Sequence, residues 1–355
     1  ICRGARQLCL LGDQCQLPPT LVSRHPISLA ASVPLFTRLR ADGAPSYLLD
    51  TQYRMHPAIA MLPCDLVYGG ELRTGISAAE RPPMHGFGWP NPSMPVALVP
   101  VYEGGGEAGD GSSKINRAEA EATVRVVAGL QRAGVGAAEI GVISPYAAQV
   151  RLLRSLLRAG SGGGQGGGGP VVEVSSVDGF QGREKEVVVF SCVRSNAGGS
   201  LGFLADVRRL NVAFTRAKRG LIVLGHPPTL SRQRDGPWAH WLQWARAYGL
   251  VVGERASGEY DGAATRQLAA SLMASYEQSE SPCEVGKAGE AHSTKGTATE
   301  APTAAGGRGA EEEASLWRSM AEEYKRGEAS RQEEAGREEA RREEARREEA
   351  RRGEA

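Results

Sequence analysis

Long apolar runs are missing from this sequence. Across its 355 residues, no stretch approaches the ~18 consecutive apolar positions that would span a bilayer, and the start lacks the charged-then-apolar pattern of a secretory signal. A membrane-embedded or exported protein is thereby excluded as the expectation. We expect a soluble intracellular one, in cytoplasm or nucleus, with no membrane partner. Paired cysteines are missing too. Cys2, Cys9, Cys15, Cys64, Cys192 and Cys283 are scattered, with no Cys-x-x-Cys and no histidine at zinc-finger spacing, so neither a disulfide scaffold nor a zinc module is expected. Absent as well is the phosphate-cradling pattern G-x-x-x-x-G-K-[ST]; "GKAG" at Gly286 lies in a polar stretch and lacks the hydroxyl residue. The sequence opens on Ile1 rather than Met, and we read it as part of something longer.

What is present begins with charge. The formal net charge of +1 conceals an asymmetry, because residues 1–252 carry 26 Lys and Arg against 18 Asp and Glu, whereas residues 253–355 carry 16 against 23. A basic core is joined to an acidic tail. The basic part is compatible with a polyanionic partner and equally with an ordinary solvated surface.

Within the basic part, short apolar runs alternate with helix-period segments. "RQLCLLGD" reads as a strand ending at Gly12, and "PVALVPV", "EIGVIS", "PVVEVS", "KEVVVFSCV" and "GLIVLG" read as further strands. "NRAEAEATVRVVAGLQRAG", "YAAQVRLLRSLLRAG" and the stretch around "RRLNVAFTRAKR" read as amphipathic helices. Strands that are apolar throughout and separated by helices predict an α/β fold with a parallel sheet covered on both faces. Ligands of such sheets bind beyond the carboxyl ends of the strands. Two segments break the pattern. The glycine-rich residues 159–170 read as a flexible surface insertion, and residues 253–355, ending in repeats of Glu-Glu-Ala-Arg-Arg, read as a disordered or solvated helical charged tail. On a helix Glu338 would meet Arg341 and Arg342, pairs worth only ~0.2–0.5 kcal/mol each, and no apolar seam is present for a coiled coil.

Polar residues cluster where strands or helices are expected to end. "LLGDQCQLPPT" places Gly12, Asp13 and Gln16 just past the first strand, and "LLDTQYRMHPAIA" places Gln52, Tyr53, Arg54 and His56 before a helix that would start at Pro57. "VSSVDGFQGRE" follows a strand with Asp178, Gly179, Gln181, Gly182, Arg183 and Glu184, and "LNVAFTRAK" offers Arg216 and Lys218. Singly, each is an ordinary turn with capping residues. In this order and at this spacing, GDxxQLPP, QYRMHP, VDGFQGRE and NVAFTRAK resemble the later motifs of superfamily 1 helicases, in the group that contains the up-frameshift (regulator of nonsense transcripts), senataxin and immunoglobulin mu-binding helicases. The resemblance runs over residues 6–254. "GISAAERPPMHGFGWPNP" is most similar to the up-frameshift branch and "QLPPT" to the senataxin-like branch.

The resemblance implies a RecA-like fold of the P-loop NTPase type and an ATP-dependent, 5′ to 3′ RNA or DNA helicase, with RNA surveillance such as nonsense-mediated decay among its roles. ATP would lie between two RecA-like domains. Residues 1–40 would end the first, residues 41–252 form the second, and residues 253–355 form the tail, a possible site for protein partners. The resemblance makes Arg54 and Arg216 the γ-phosphate contacts and Gln16 the γ-phosphate sensor. Tyr53 would flank the nucleotide, and Glu184, with Gly182 beside it, would meet the ribose. Arginine suits this chemistry because a planar, always-charged fork grips two phosphoryl oxygens, which an ammonium does not. The resemblance further implies single-stranded nucleic-acid contacts near Ser144, Pro145 and Tyr146 and near Ser176, Val177 and Asp178. The phosphate loop and the Mg²⁺ ligands would belong to a part not in this sequence, so the chain alone is expected to be inactive. For Lys218 we expect a helix-end charge, for His56 local packing, and for Trp238, Trp241 and Trp244 packing of the last helix on the sheet. A noncatalytic nucleic-acid-binding adaptor, built from a lone RecA-like domain and a charged tail, stays open beside the enzyme.

Overall fold

The computed structural model describes residues 4, 7–19, 33–102, 106–111, 113–160 and 171–253, all within one compact unit, Ile1–Leu272. The glycine-rich residues 161–170 and everything from residue 254 onward, and with them the expectations placed there, lie outside the described residues.

Nine strands are described. β1 (Thr51–Gln52) and β2 (Arg73–Thr74) pair in parallel, and β4 (Ala108–Asp110) and β5 (Ser113–Ile115) form an antiparallel pair. The centre is a five-stranded sheet of β3 (Val96–Pro100), β6 (Ile140–Ile143), β7 (Glu173–Ser175), β8 (Lys185–Ser191) and β9 (Ala217–Gly225), in the order β3-β9-β8-β6-β7. Every pairing within it is parallel. Valine, isoleucine and leucine dominate these strands because both faces are covered: every residue of β3 and β6 is buried, as are residues 187–191 of β8.

Among the described residues seven α-helices follow from equally local causes: α1 (Leu35–Ala41), α2 (Pro57–Tyr68), α3 (Arg117–Arg132), α4 (Ala147–Gly160), α5 (Val207–Phe214), α6 (Pro227–Leu230) and α7 (Pro237–Ala247). Proline opens α2 at a position that needs no intrahelical N–H, His56 caps it by accepting from Ala58 N–H at 3.1 Å, and Gly69, left-handed at φ 62°, ends it. Asn116 caps α3 by accepting from Glu119 N–H at 3.0 Å. One face of the sheet, including Val99, Val142, Val189 and Ile222, packs with Val126, Val127 and Leu130 of α3 and Val150 and Leu153 of α4 in one apolar cluster. The other face carries Phe190 against Phe214, Trp238 and, through them, Trp241, with ring centroids 5.6–6.0 Å apart. Trp238, Trp241 and Trp244 are all buried, as the packing expectation required.

Three expectations need correction. Residues 7–12 form no strand: Leu8 and Leu11 are exposed, and a parallel strand requires a neighbour to pair with, which the described residues do not offer here. The helix expected through "TRAKR" stops at Phe214. Thr215 Oγ1 donates to Asn211 O at 2.7 Å, and Arg216 Nε donates to Val212 O at 2.9 Å, so side chains occupy the last-turn carbonyls and the chain enters β9 at Ala217. Lys218 therefore sits on a strand, where it forms an ion pair with Glu184 at 2.8 Å.

A buried polar network ties α3, α4 and β8 together. Glu119, wholly buried, accepts from Ser191 Oγ at 2.7 Å and from Val193 N–H at 2.8 Å, and Gln149 Nε2 donates to Ser191 Oγ and to Asn116 O. Burial pushes the Glu119 carboxyl up to about 8, against the opposing pull of those hydrogen bonds. A carboxyl raised in this way holds its proton in the native state after the unfolded chain has released it. Its stabilising contribution is complete below the unfolded value, ~4.3, and is lost as pH rises from there to about 8. His56 and His226, whose pKa values burial lowers, act in the opposite sense and are common to parent and variant. We therefore expect Glu119→Gln to make the melting temperature rise relative to the parent as pH climbs from 5 to about 8, measured by thermal denaturation across that range. Parallel pH profiles would contradict it.

Candidate functional site

Two groups of polar side chains form at opposite ends of the sheet. At the amino ends of β8 and β9 lie Arg54, Glu184, Arg216 and Lys218. Arg54 reaches this corner because Gln52 Oε1 accepts from both Arg54 N–H and Met55 N–H, at 2.9 and 2.8 Å, folding the loop ahead of α2. Arg54 Nε then donates to Glu184 Oε2 at 2.6 Å and Nη1 to Thr215 O at 3.0 Å. Lys218 holds the other Glu184 oxygen, and hydrogen bonds from Lys218 and Arg54 keep the Glu184 carboxyl down at about 2.

Arg216 is different. Its guanidinium is buried, bonded to Val212 O and to Thr215 Oγ1 at 2.9 Å each, and among the described residues no carboxylate lies within ion-pair distance of it. Burial, and next the charge of Arg54, lower its pKa to about 10, which still leaves it charged at neutral pH. Asp13, Glu184 and Tyr68 lie close enough to act on it electrostatically. A buried fixed charge of this kind calls for an anion to complete it.

The loop of Gly12 to Gln16 is fastened beside this corner. Asp13 accepts from Gln16 Nε2 at 2.8 Å and from Tyr68 Oη at 2.7 Å, while Asn211 Nδ2 donates to Cys15 O and to Tyr68 Oη at 3.0 Å each. Gln16 is thus half-buried next to Arg216's surroundings, held by Asp13. Tyr53 is 66% exposed and Gly182, at φ 79°, is an exposed turn residue before β8.

At the carboxyl ends lie the strand-end residues after β6 and β7. Ser144, Tyr146 and Val177 are buried, Pro145 and Ser176 are half-buried and Asp178 is exposed. Only backbone and the latter three side chains face outward directly. Tyr146 Oη donates to Leu201 O and accepts from Arg194 Nη1 at 3.2 Å. Arg194, nearly buried, pairs with Glu107 at 2.8 Å. Against burial, which would raise it, hydrogen bonds from Arg194, Asn196 and Ser195 N–H hold the Glu107 carboxyl at about 2. Val193, just before Arg194, is the one described non-glycine residue at positive φ, 73°, and Glu119 and Asn116 clamp its N–H and C=O.

The structure thus gathers Arg54, Glu184 and Arg216 into one corner, ties the Gln16 loop to it through Asp13, Tyr68 and Asn211, and spreads the strand-end residues along the opposite rim. Reading the sequence missed Arg194, Glu107 and Asn211 as organisers. Glu107 and Arg194 are 87 residues apart, and no local pattern joins them. Asn211, by contrast, stood inside "LNVAFTRAK" and gave a signal: an amide in mid-helix needs a partner across the fold.

Comparison with known proteins agrees with the family resemblance. Residues 31–228 match the family described as AAA domain. The chain is 40% identical over 250 residues to the regulator of nonsense transcripts 1 homolog of Drosophila melanogaster, covering 70% of this chain and 21% of that protein. To the ATP-dependent helicase NAM7 of Saccharomyces cerevisiae it is 38% identical over 253 residues, 71% of this chain and 26% of that one. To the ATP-dependent helicase upf1 of Schizosaccharomyces pombe it is 36% identical over 250 residues, 70% of this chain and 27% of that one. The chain therefore spans about a fifth to a quarter of the length of these curated relatives.

Proposed function

Because the chain belongs to the AAA domain family, we propose that it is the γ-phosphate-sensing, nucleic-acid-tracking half of an ATP-dependent RNA or DNA helicase of the up-frameshift group, translocating 5′ to 3′. Residues 41–252 would form the second RecA-like domain, residues 1–40 the end of the first, and residues 253–355 a charged tail open to protein partners. The observation that carries this reading is the buried Arg216 guanidinium, with Arg54 beside it and no acidic partner of its own among the described residues. A terminal phosphoryl group supplies what is missing: several anionic oxygens that two forked cations can grip at once.

In this reading Arg216 and Arg54 neutralise charge that develops on the transferring phosphoryl oxygens, Gln16 senses that group, Tyr53 flanks the nucleotide, and Glu184 with Gly182 meets the ribose. Among the described residues no group of three His, Cys, Asp or Glu could hold a metal ion. Ser144, Pro145, Tyr146, Ser176, Val177 and Asp178 would track a single strand through backbone and hydroxyl groups, which suits stepping along any sequence. No helix among the described residues is long and apolar enough to cross a membrane. From the likeness to a protein named regulator of nonsense transcripts, we propose an intracellular setting, cytoplasm or nucleus, and a role in RNA surveillance. The test is ATP hydrolysis by this chain carried on one polypeptide with a phosphate-loop domain, assayed with single-stranded RNA and with DNA. Hydrolysis that rises when single strand is added is the expected result; hydrolysis indifferent to both polymers overturns the reading.

A further inference from the structure

A one-turn helix, Gly202–Ala205, leads from β8 into α5. Leu201 and Leu204 around it are buried at 1% and 3%, whereas Phe203 stands 50% exposed. A single exposed apolar side chain is ordinary on a protein surface. What sets Phe203 apart is its bracing. The Tyr146 ring lies 5.5 Å from it at 59°, and the Arg209 guanidinium carbon lies 5.1 Å from its centroid. Both braces are themselves fixed: Tyr146 by Leu201 O and Arg194, and Arg209 by ion pairs to Asp206 at 3.4 Å and Asp178 at 3.7 Å. Gly202, at φ 56°, comes so near Tyr146 Oη and Arg194 that a Cβ would collide with both, so only glycine lets the turn approach closely enough to seat the ring.

From this we propose that Phe203, braced by Tyr146 and Arg209, is a stacking platform for one base of a bound single-stranded nucleic acid, an inference that rests on the nucleic-acid reading above. Its position favours this ligand over other occupants. Phe203 touches Tyr146, which follows β6, and through Arg209 it is tied to Asp178, which follows β7. It therefore stands between the two strand-end loops, beyond the carboxyl ends where parallel sheets bind ligands. An aromatic ring offers every base the same π-face, and an arginine at that ring adds a cation–π contribution. The ring is already immobilised, so little rotamer freedom is lost when a base arrives.

The experiment is fluorescence anisotropy on the full chain with two probes: a labelled oligouridylate, and a ribose-phosphate oligomer of the same length that lacks bases. Phe203→Leu, which keeps apolar packing, and Phe203→Ala are expected to weaken oligouridylate binding on the order of ten-fold. Phe203→Trp should retain it, and none of the three should change affinity for the abasic oligomer. Phe203→Leu binding oligouridylate at parental affinity overturns the proposal, as does an equal loss on both probes. Should the parent bind neither probe, the nucleic-acid reading itself falls and this inference with it; should the parent bind and Phe203→Leu match it, this inference falls alone.

Discussion

Arg216→Ala is expected to slow nucleic-acid-stimulated ATP hydrolysis by roughly 10³- to 10⁵-fold while changing ATP affinity far less. The guanidinium is held by Val212 O and Thr215 Oγ1 rather than by a carboxylate, so no direct ion pair has to break before a phosphoryl group approaches it. An interaction that strengthens as charge develops on that group lowers the barrier more than it tightens binding. Arg216→Lys should rescue little, because one ammonium cannot reproduce a two-pronged grip. Arg54→Ala should resemble Arg216→Ala, and the double variant should fall well short of the two losses combined, since both cations would serve one group. Lys218→Ala is the control, because it removes a cation from the same Glu184 that holds Arg54; a general effect of local charge would appear there too. The measurement is single-turnover hydrolysis and nucleotide affinity, made with a phosphate-loop domain on the same polypeptide. Parental hydrolysis by Arg216→Ala would make the arginine purely structural.

Trp238→Ala should cost about 3–5 kcal/mol of folding stability. The indole is wholly buried, lies 5.7–5.9 Å from the rings of Phe190, Phe214 and Trp241, and donates to Leu204 O at 2.7 Å. Truncation would open a cavity where α7 meets the sheet and strand that carbonyl without a donor. Trp238→Phe fills most of the space and should lose less. Urea unfolding followed by circular dichroism decides this; a loss below about 1 kcal/mol would mean that the surroundings collapse into the gap.

The strands of the sheet were legible because a strand buried on both faces leaves an unbroken apolar run, as in "KEVVVFSCV", and the helices between them because one apolar stripe recurs at helical spacing, as in α3 and α4. Legibility failed where a segment's state depends on something distant. Residues 7–12 read as a strand from composition alone, yet pairing is a property of two segments. The end of α5 was misread because the amphipathic pattern carries no Gly or Pro to mark a stop after Phe214, while the Thr215 and Arg216 side chains in fact replace its missing hydrogen-bond donors. Lys218 was misplaced by the same error. Arg54, Glu184 and Arg216 were found as separate motif positions, and their meeting at one corner follows from β8 and β9 being adjacent parallel strands, which spacing does not reveal. Phe203 escaped notice because an aromatic in the short apolar stretch from Leu201 to Leu204 looks like core.

Helix α5 has only eight residues, ~12 Å of length. Arg209, in its first turn, braces Phe203 at the rim proposed for the single strand, and Arg216, two residues past its end, occupies the corner proposed for the phosphoryl group. Asn211 between them grips the loop that carries Gln16. The rim proposed for the single strand and the corner proposed for the phosphoryl group are thus joined by a single packed helix of eight residues, with no other element lying between the two arginines in the chain.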